Sequence, residues 1–465
     1  MNDSTTGELR PQPLEASAQP SFLGSVNVVM TTYAIDGLLA LATGAVVARA
    51  IGTDGRGAYG IFILSVAFGQ MLLGLGAGNA AIYYLGRGEL PLRQVLSAAH
   101  ALALAALPVS ALAALAVWLT PWSEKVMGDG VGAWLFALAV PALLYLNLMR
   151  LILQGLNRFI DLGMATIGQQ ALLLAAVTAM YVTDTATTAR IIGALVAATT
   201  AAGGFALVRI GLSQVDLAQV VRPRLDVIRR MATFGLQGET GNILQLANYR
   251  IDQYIVFAYV SLSGVGIYAV ASSLTEGVFI LANAVALVLL PRLTALDAAE
   301  AARAAPLASR NTMLVAAAGA VALGALAPWG VPLIFGDDFR DSVEALWLLL
   351  PGAVALAGSK VLTSYIFSQG RPLLNTAITA VALVVTLVAD FALVPWLGVN
   401  GAALASSIAY AAHFAAALVV YQRLSGHPAH HALIPRPSDA RIYADAVRSV
   451  LARGRPERAA PSASG

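Results

Sequence analysis

Gln94 to Ser123 reads QVLSAAHALALAALPVSALAALAVWLTPWS, thirty consecutive residues without an Asp, Glu, Lys or Arg. A helix crosses the hydrocarbon core of a bilayer with roughly 20 apolar residues, and this run exceeds that length. It is apolar on consecutive positions. A strand of an outer-membrane barrel alternates instead, so the run is a helix. Four further windows, 162–183, 253–275, 311–336 and 391–422, are equally free of charge. Working outward from them, the same pattern places twelve spans at roughly 24–49, 58–85, 94–119, 131–153, 163–182, 190–210, 232–259, 265–291, 310–334, 345–368, 372–394 and 399–421.

The composition agrees. Of 465 residues 58% are hydrophobic and 11% charged, against roughly 25% charged in a soluble protein, and mean hydropathy is +0.75. A soluble enzyme, a disordered chain and a nucleic-acid-binding domain are excluded, and the expected class is an all-α polytopic membrane protein. With no cysteine, there is no disulfide framework, thiolate metal site or thiol nucleophile. The net charge of +3 reads as membrane orientation and not as an attraction to nucleic acid.

Basic residues set that orientation. With the N-terminus cytoplasmic, 21 of the 28 Lys and Arg residues fall on the inner side and five on the outer: Arg49, Arg56, Lys125, Arg190 and Arg340. Arg250 and Lys360 lie inside spans. Both termini are therefore expected in the cytoplasm. The chain divides into a polar tail 1–21 lacking the basic start of a signal peptide, a six-helix lobe 22–211, a linker 212–230, a second six-helix lobe 231–421 and a basic tail 422–465. Within the last tail Ser438 is placed to cap a short helix, with Ile442, Val447, Val450 and Leu451 on one face and Arg441 and Arg448 on another; a solvated or loosely membrane-associated tail is the plainer reading.

The segment after span one reads Gly55-Arg56-Gly57-Ala58-Tyr59, and the segment after span seven reads Gly264-Val265-Gly266-Ile267-Tyr268. This G-x-G-x-Y pattern recurs with an offset of 209 at the same topological point of each half. Two halves that begin on the same side are related by an axis along the membrane normal, which is transporter architecture. No P-loop and no H-E-x-x-H occur. His430 and His431 lack a nearby ligand partner in sequence, so no cofactor or metal is expected. Gly74, Gly76 and Gly78 lie inside a span, where they serve close packing or a kink. No outer loop is long enough to carry the catalytic groups of a membrane glycan enzyme.

Ionisable groups at membrane depth are costly and face a cavity or each other. Asp36, Glu239, Arg250, Asp252, Glu276 and Lys360 are well inside spans, with Asp390 nearer the outer end of span eleven. At 100° per residue Glu239, Asn242, Arg250 and Gln253 form one stripe of span seven, flanked by Gln245, Asn248 and Asp252. Thr32, Asp36 and Thr43 align on span one, Ser272, Glu276 and Asn283 on span eight, Lys360 and Ser364 on span ten, and Thr379, Thr386 and Asp390 on span eleven. The expectation is two pseudo-symmetric six-helix lobes around a central hydrophilic cavity. The competing reading pairs Lys360 with Glu276 or Asp390 for packing alone. Asp36, Glu239, Glu276 and Asp390 are candidates to carry a coupling ion.

Several stretches resemble bacterial oligosaccharide flippases, the polysaccharide-biosynthesis family of the multidrug/oligosaccharidyl-lipid/polysaccharide exporter superfamily. They are Ala42–Gly60, Asn248-Tyr-Arg250-Ile-Asp252, Gly266-Ile-Tyr268-Ala with Leu289-Leu-Pro291-Arg292-Leu, Leu333-Ile-Phe-Gly336-Asp-Asp-Phe339, and Gly398-Val-Asn-Gly401-Ala-Ala-Leu-Ala405-Ser406. The resemblance implies movement of undecaprenyl-diphosphate-linked oligosaccharide across the bacterial inner membrane, for O-antigen, capsule or exopolysaccharide synthesis, by ion-coupled alternating access. It implies that Arg250 and Lys360 meet the diphosphate, with Asn242 and Gln253 on the substrate-facing stripe. It also implies membrane lipid as a partner, and a polysaccharide polymerase and chain-length proteins downstream. A lipid II flippase would be expected to carry two more C-terminal helices, and a multidrug extruder suits two cavity cations poorly. Those are the alternatives within the superfamily.

A reporter active only outside the cytoplasm tests the topology. Fused after Gly128 or Ser263 it should be active, and fused after Arg423 it should be silent.

Overall fold

A computed structural model describes residues 22–119, 131–215 and 224–433. The tail 1–21, Lys125 in its outer loop, linker residues 216–223 and the expected Ser438 helix lie outside the described residues. The described chain is α-helical and contains no strand. We number the helices α1 Phe22–Gly74, α2 Ala77–Gly86, α3 Leu92–Trp118, α4 Val131–Gly155, α5 Phe159–Val182, α6 Thr188–Ile210, α7 Leu225–Tyr259, α8 Leu262–Ala295, α9 Ala298–Phe335, α10 Ser342–Ser368 and α11 Pro372–Ser425. Each of the twelve expected spans overlaps a helical stretch. Among the described residues eight helices are long and apolar enough to cross a membrane by length and composition; α2, α7 and α8 are not among them.

Two differences from the sequence expectation have clear causes. The loop expected after span one is helical, because Gly52 alone turns the chain with φ 66° inside α1. Gly398 does the same with φ 58° inside α11, between spans eleven and twelve. A residue with a Cβ is disfavoured at such dihedrals, so one glycine replaces a loop at each place. On the arginine-rich side α7 and α9 begin earlier than expected, at Leu225 and Ala298. Arg229, Arg230, Arg303 and Arg310 are therefore on helix and not in loops.

Helices α1–α6 form one lobe and α7–α11 the other. In the first, α4 packs on α2, α3 and α6, and α5 on α1 and α6; in the second, α10 packs on α8, α9 and α11, and α7 on α11. Helices α4 and α10 are the most buried of the apolar helices, so each lobe is built around one central helix. The lobes meet along α1 against α8 and α2 against α7.

The G-x-G-x-Y repeat sits on that seam. A Cβ at Gly57 would run into the backbone carbonyl of Leu262, and one at Gly266 into the carbonyl of Thr53. Thr53 and Leu262 are themselves related by the offset of 209. The contact is therefore reciprocal, each half presenting the same glycine to the same backbone position of its counterpart. Gly76, where Leu75 and Gly76 break the helix with φ 50° and 67°, packs in the same backbone-to-backbone manner on Gly235 of α7.

Replacing Gly57 or Gly266 by Val should force the lobes apart at this seam, with an overpacking cost of about 1–3 kcal/mol. Thermal unfolding of the purified protein would show it as a lowered midpoint. Gly319→Ala, where a Cβ has open space, should not lower it.

Candidate functional site

Asp252 is almost fully enclosed in the second lobe, 1% exposed. It accepts hydrogen bonds from the Tyr268 hydroxyl, from Ser406 Oγ at 2.9 Å and from the Gln253 backbone N–H at 2.8 Å. Tyr268 and Ser406 also bond each other at 3.0 Å. Helices α7, α8 and α11 thus meet through one carboxyl group. Asp390 is completely buried on α11 and interacts electrostatically with Asp252. Neither of its carboxyl oxygens has a hydrogen-bond partner, and the Asn248 Nδ2 also lacks one. The other end of that amide, Oδ1, accepts from Thr386 at 2.9 Å. Buried polar groups are almost always paired, so this pocket of α7 and α11 holds unused acceptors and a donor at membrane depth.

Arg250 faces the other way. Its Nη2 donates to Glu276 Oε1 of α8, and the two side chains are 27% and 47% exposed. A charge pair in the middle of a span is costly against lipid, so the space it opens onto is aqueous. Lys360 of α10 lies over the Tyr249 ring at 5.7 Å, and Tyr249 meets Tyr410 edge-on at 5.9 Å. Tyr410 interacts electrostatically with both Arg250 and Glu276. The two expected cations therefore belong to one aromatic-lined face. Glu276, considered in the sequence as a partner for Lys360, is bonded to Arg250.

The remaining expected residues are dispersed. Glu239 is buried where α7 meets α2, accepting from Asn79 Nδ2 at 3.2 Å and Asn242 Nδ2 at 3.3 Å. Asn242 itself is exposed. Gln253 is 3% exposed and its Oε1 lies beside Gly60 of the first lobe, so it is sealed in the seam. Asp36, half-buried on α1, interacts with Arg150 of α4. Arg150 bonds Gln169 at 2.7 Å, and Gln169 bonds Thr199 at 2.8 Å.

Sequence alone does not single out two residues. Asp252 reads as an intramembrane charge whose pattern assigns it no role; its signal is that three of the resembling stretches, around Arg250, Tyr268 and Ser406, converge on it. Arg56 reads as part of an outer loop. Because the loop is helix, Arg56 lies along α1, with its Nη2 end towards Gly44. Its guanidinium lies over Tyr59 at 5.7 Å, it interacts electrostatically with Arg250 across the seam, and its Nε has no hydrogen-bond partner.

Both ends of the seam are fastened. At the Gly52 end Arg49 donates to the carbonyls of Ile334, at 2.9 Å, and Leu333, and Ser263 donates to Thr53 at 2.8 Å. At the arginine-rich end Arg230 pairs with Glu89 at 2.8 Å and lies 4.7 Å over Tyr84, while Phe234 stacks on Tyr83 at 4.4 Å. Between them Ser65 and Tyr254 share a hydrogen bond of 2.8 Å.

Tyr268→Phe and Ser406→Ala each remove a donor from a buried carboxyl, which costs about 1–3 kcal/mol. Each should lower the thermal midpoint. Ser272→Ala should not, since Ser272 bonds only a carbonyl of its own helix.

No protein-family model matches the chain, and no curated protein matches it. Solved structures do. The lipid II flippase MurJ in an inward closed conformation superposes with a TM-score of 0.69 at 12% identity, covering 86% of this chain and 90% of that one. An inward-facing multidrug resistance MATE family transporter of the MOP superfamily superposes with a TM-score of 0.65 at 16% identity, covering 86% and 98%. A MOP superfamily transporter from Pyrococcus furiosus gives 0.52 at 15% identity, covering 86% and 94%. At these identities the likeness establishes the fold: the chain is a multi-pass membrane protein folded as MurJ and the MATE transporters are.

Proposed function

We propose that the protein is a flippase of the bacterial inner membrane, moving undecaprenyl-diphosphate-linked oligosaccharide outward for surface polysaccharide synthesis. The observation that carries this reading is the set of cations around the seam. Arg56 interacts electrostatically with Arg250 across the seam, and Lys360 and Arg250 both neighbour the Tyr249 and Tyr410 pair. Arg250 pairs with Glu276, so a polyanion that bridges these cations would take the place of Glu276 on Arg250. A diphosphate is such a ligand. Arg250 offers a planar fork to two phosphate oxygens, whereas Lys360 acts as a point charge. Exposed Asn242 is available to sugar hydroxyls, and Gln253 becomes available when the lobes part.

Alternating access follows from the two fastenings. Breaking Glu89–Arg230 and the Tyr83–Phe234 stack opens the arginine-rich side, which the basic-residue bias makes cytoplasmic. Breaking the Arg49 contacts opens the other side. Gly57 and Gly266, with no side chains between them, give the lobes a short pivot.

Among the ion-coupling candidates Asp390 is the strongest. Glu276 is paired with Arg250, Glu239 is held by two amides and Asp36 has Arg150 nearby, while Asp390 has two unused oxygens beside Asp252, Asn248 and Thr386. A proton or a small cation arriving there would satisfy groups that are otherwise left unpaired. The carrier would be empty-handed of enzyme chemistry, and a polymerase with chain-length proteins would consume what it delivers.

Proteoliposomes carrying undecaprenyl-diphosphate-linked oligosaccharide test the reading. The protein should flip it under an imposed proton or sodium gradient. Arg250→Ala should abolish flipping at normal abundance and Arg250→Lys should retain part of it. Asp390→Asn should leave substrate binding intact and remove the gradient dependence. Flipping of lipid II alone, or export of an organic cation with no flipping, would replace this reading with one of its rivals.

A further inference from the structure

At the arginine-rich end of the first lobe, Asp161 opens α5 almost fully buried, 5% exposed. Its Oδ2 accepts from Arg158 Nε at 2.7 Å and its Oδ1 from Arg209 Nε at 2.5 Å. Arg158 Nη1 further donates to the Arg209 carbonyl at 2.6 Å. Asp161 thus ties the start of α5 to the end of α6. The tie leaves the outer Nη groups of Arg209 projecting from a side chain that is 47% exposed. Two cations share one anion, so the cluster keeps one positive charge.

The same three residues line a cavity of about 230 Å³ with Val28, Asn157 and Phe159. Val28 and Ile160 are shared with a second, open groove of about 600 Å³ between α1 and α5. That groove is walled by Thr31, Thr32, Gly163, Met164, Ile167 and Gly168. At its far end the groove is open, since a Cβ at Gly168 meets nothing within 4 Å, whereas Gly163 packs closely on Thr32. Its rim is apolar, with Ile160 64% and Met164 51% exposed. From Ile160 to Gly168 the groove descends about 12 Å at 1.5 Å per residue, most of the ~15 Å depth of one leaflet.

A basic head joined to an apolar trough that opens sideways has the shape and charge order of a lipid. We propose that this groove binds one anionic phospholipid of the arginine-rich leaflet, its phosphate on Arg209 and Arg158 and one acyl chain between α1 and α5. A phosphodiester carries a single negative charge, which matches the single positive charge the cluster retains. A diphosphate would bring more negative charge than the cluster balances, so the occupant is a phospholipid and not the polyprenyl carrier. The site is separate from the cations of the seam: it lies wholly in the first lobe, on α1, α5 and α6. An occupant there would hold the inner end of α1, the helix that carries Asp36, against α5.

Native mass spectrometry of the purified full-length protein tests this with phosphatidylglycerol as the probe. One phosphatidylglycerol should be retained in preference to phosphatidylcholine. Arg209→Ala should lower its occupancy by about tenfold, the effect of losing roughly one charge-assisted interaction. Gly168→Phe fills the trough without touching the Asp161 tie and should lower occupancy as strongly. Arg303→Ala, an exposed arginine of the other lobe, should leave it unchanged. Equal retention of phosphatidylcholine would overturn the proposal. So would full occupancy in Gly168→Phe, or displacement of phosphatidylglycerol by undecaprenyl diphosphate at a lower concentration.

Discussion

Two backbones touch at Gly57 and Gly266, and the arrangement of the molecule depends on that contact. Helices with side chains between them stand about 8–10 Å apart; glycine lets the segments that follow Gly52 and Ser261 approach more closely. Small residues at such crossings are how helices associate in lipid, where no hydrophobic force drives them together. Because each half contributes the same glycine to the same partner position, the contact is self-complementary.

The fastenings on either side of this pivot differ in kind. At the Gly52 end Arg49 binds the carbonyls that α9 leaves unpaired at its C-terminus, a helix end that favours a cation. At the other end the bond is an exposed Arg230–Glu89 pair backed by stacked aromatic rings. Exposed ion pairs contribute little, about 0–1 kcal/mol, and aromatic pairs about 0.5–1.5 kcal/mol. The alternating access proposed above calls for closures that a substrate or an ion can outweigh, and the exposed pair is of that size.

Much of the fold was legible because a bilayer imposes it residue by residue. The charge-free windows located spans, and the G-x-G-x-Y repeat marked the point where the halves meet. The errors were local and physical. Gly52 and Gly398 each turn a helix with one residue where a loop was expected, since hydropathy carries no information on φ. The site was half legible. Periodicity put Glu239, Arg250 and Gln253 on one stripe of α7, but a stripe does not tell which neighbour faces it. The neighbours decide the environment: Gln253 meets the first lobe, Glu239 meets Asn79, and Arg250 opens to water beside Glu276. Asp252, two residues from Arg250 and so turned away from it, is buried among the hydroxyls of Tyr268 and Ser406, a convergence of three distant stretches that no single-helix projection can reveal.

The duplicated halves have not kept equal chemistry. With the offset of 209, Arg250, Asp252 and Glu276 fall opposite Leu41, Thr43 and Ala67. The corresponding segments, α1 in one half and α7 with α8 in the other, share the seam glycines but not these three charges. Charge at membrane depth is retained only against a cost, and the two halves carry theirs at different positions: Asp36 and Arg56 of the first fall opposite Gln245 and Val265 of the second. The second lobe holds the cations of the seam and the unpaired carboxyl of Asp390, where binding events change the charge balance. The first lobe presents Arg56 across the seam and otherwise offers a lipid-facing groove and a tied arginine cluster, features that anchor a body against the bilayer. On the transport reading proposed above, the asymmetry between Leu41 and Arg250 is where the two halves would part in role.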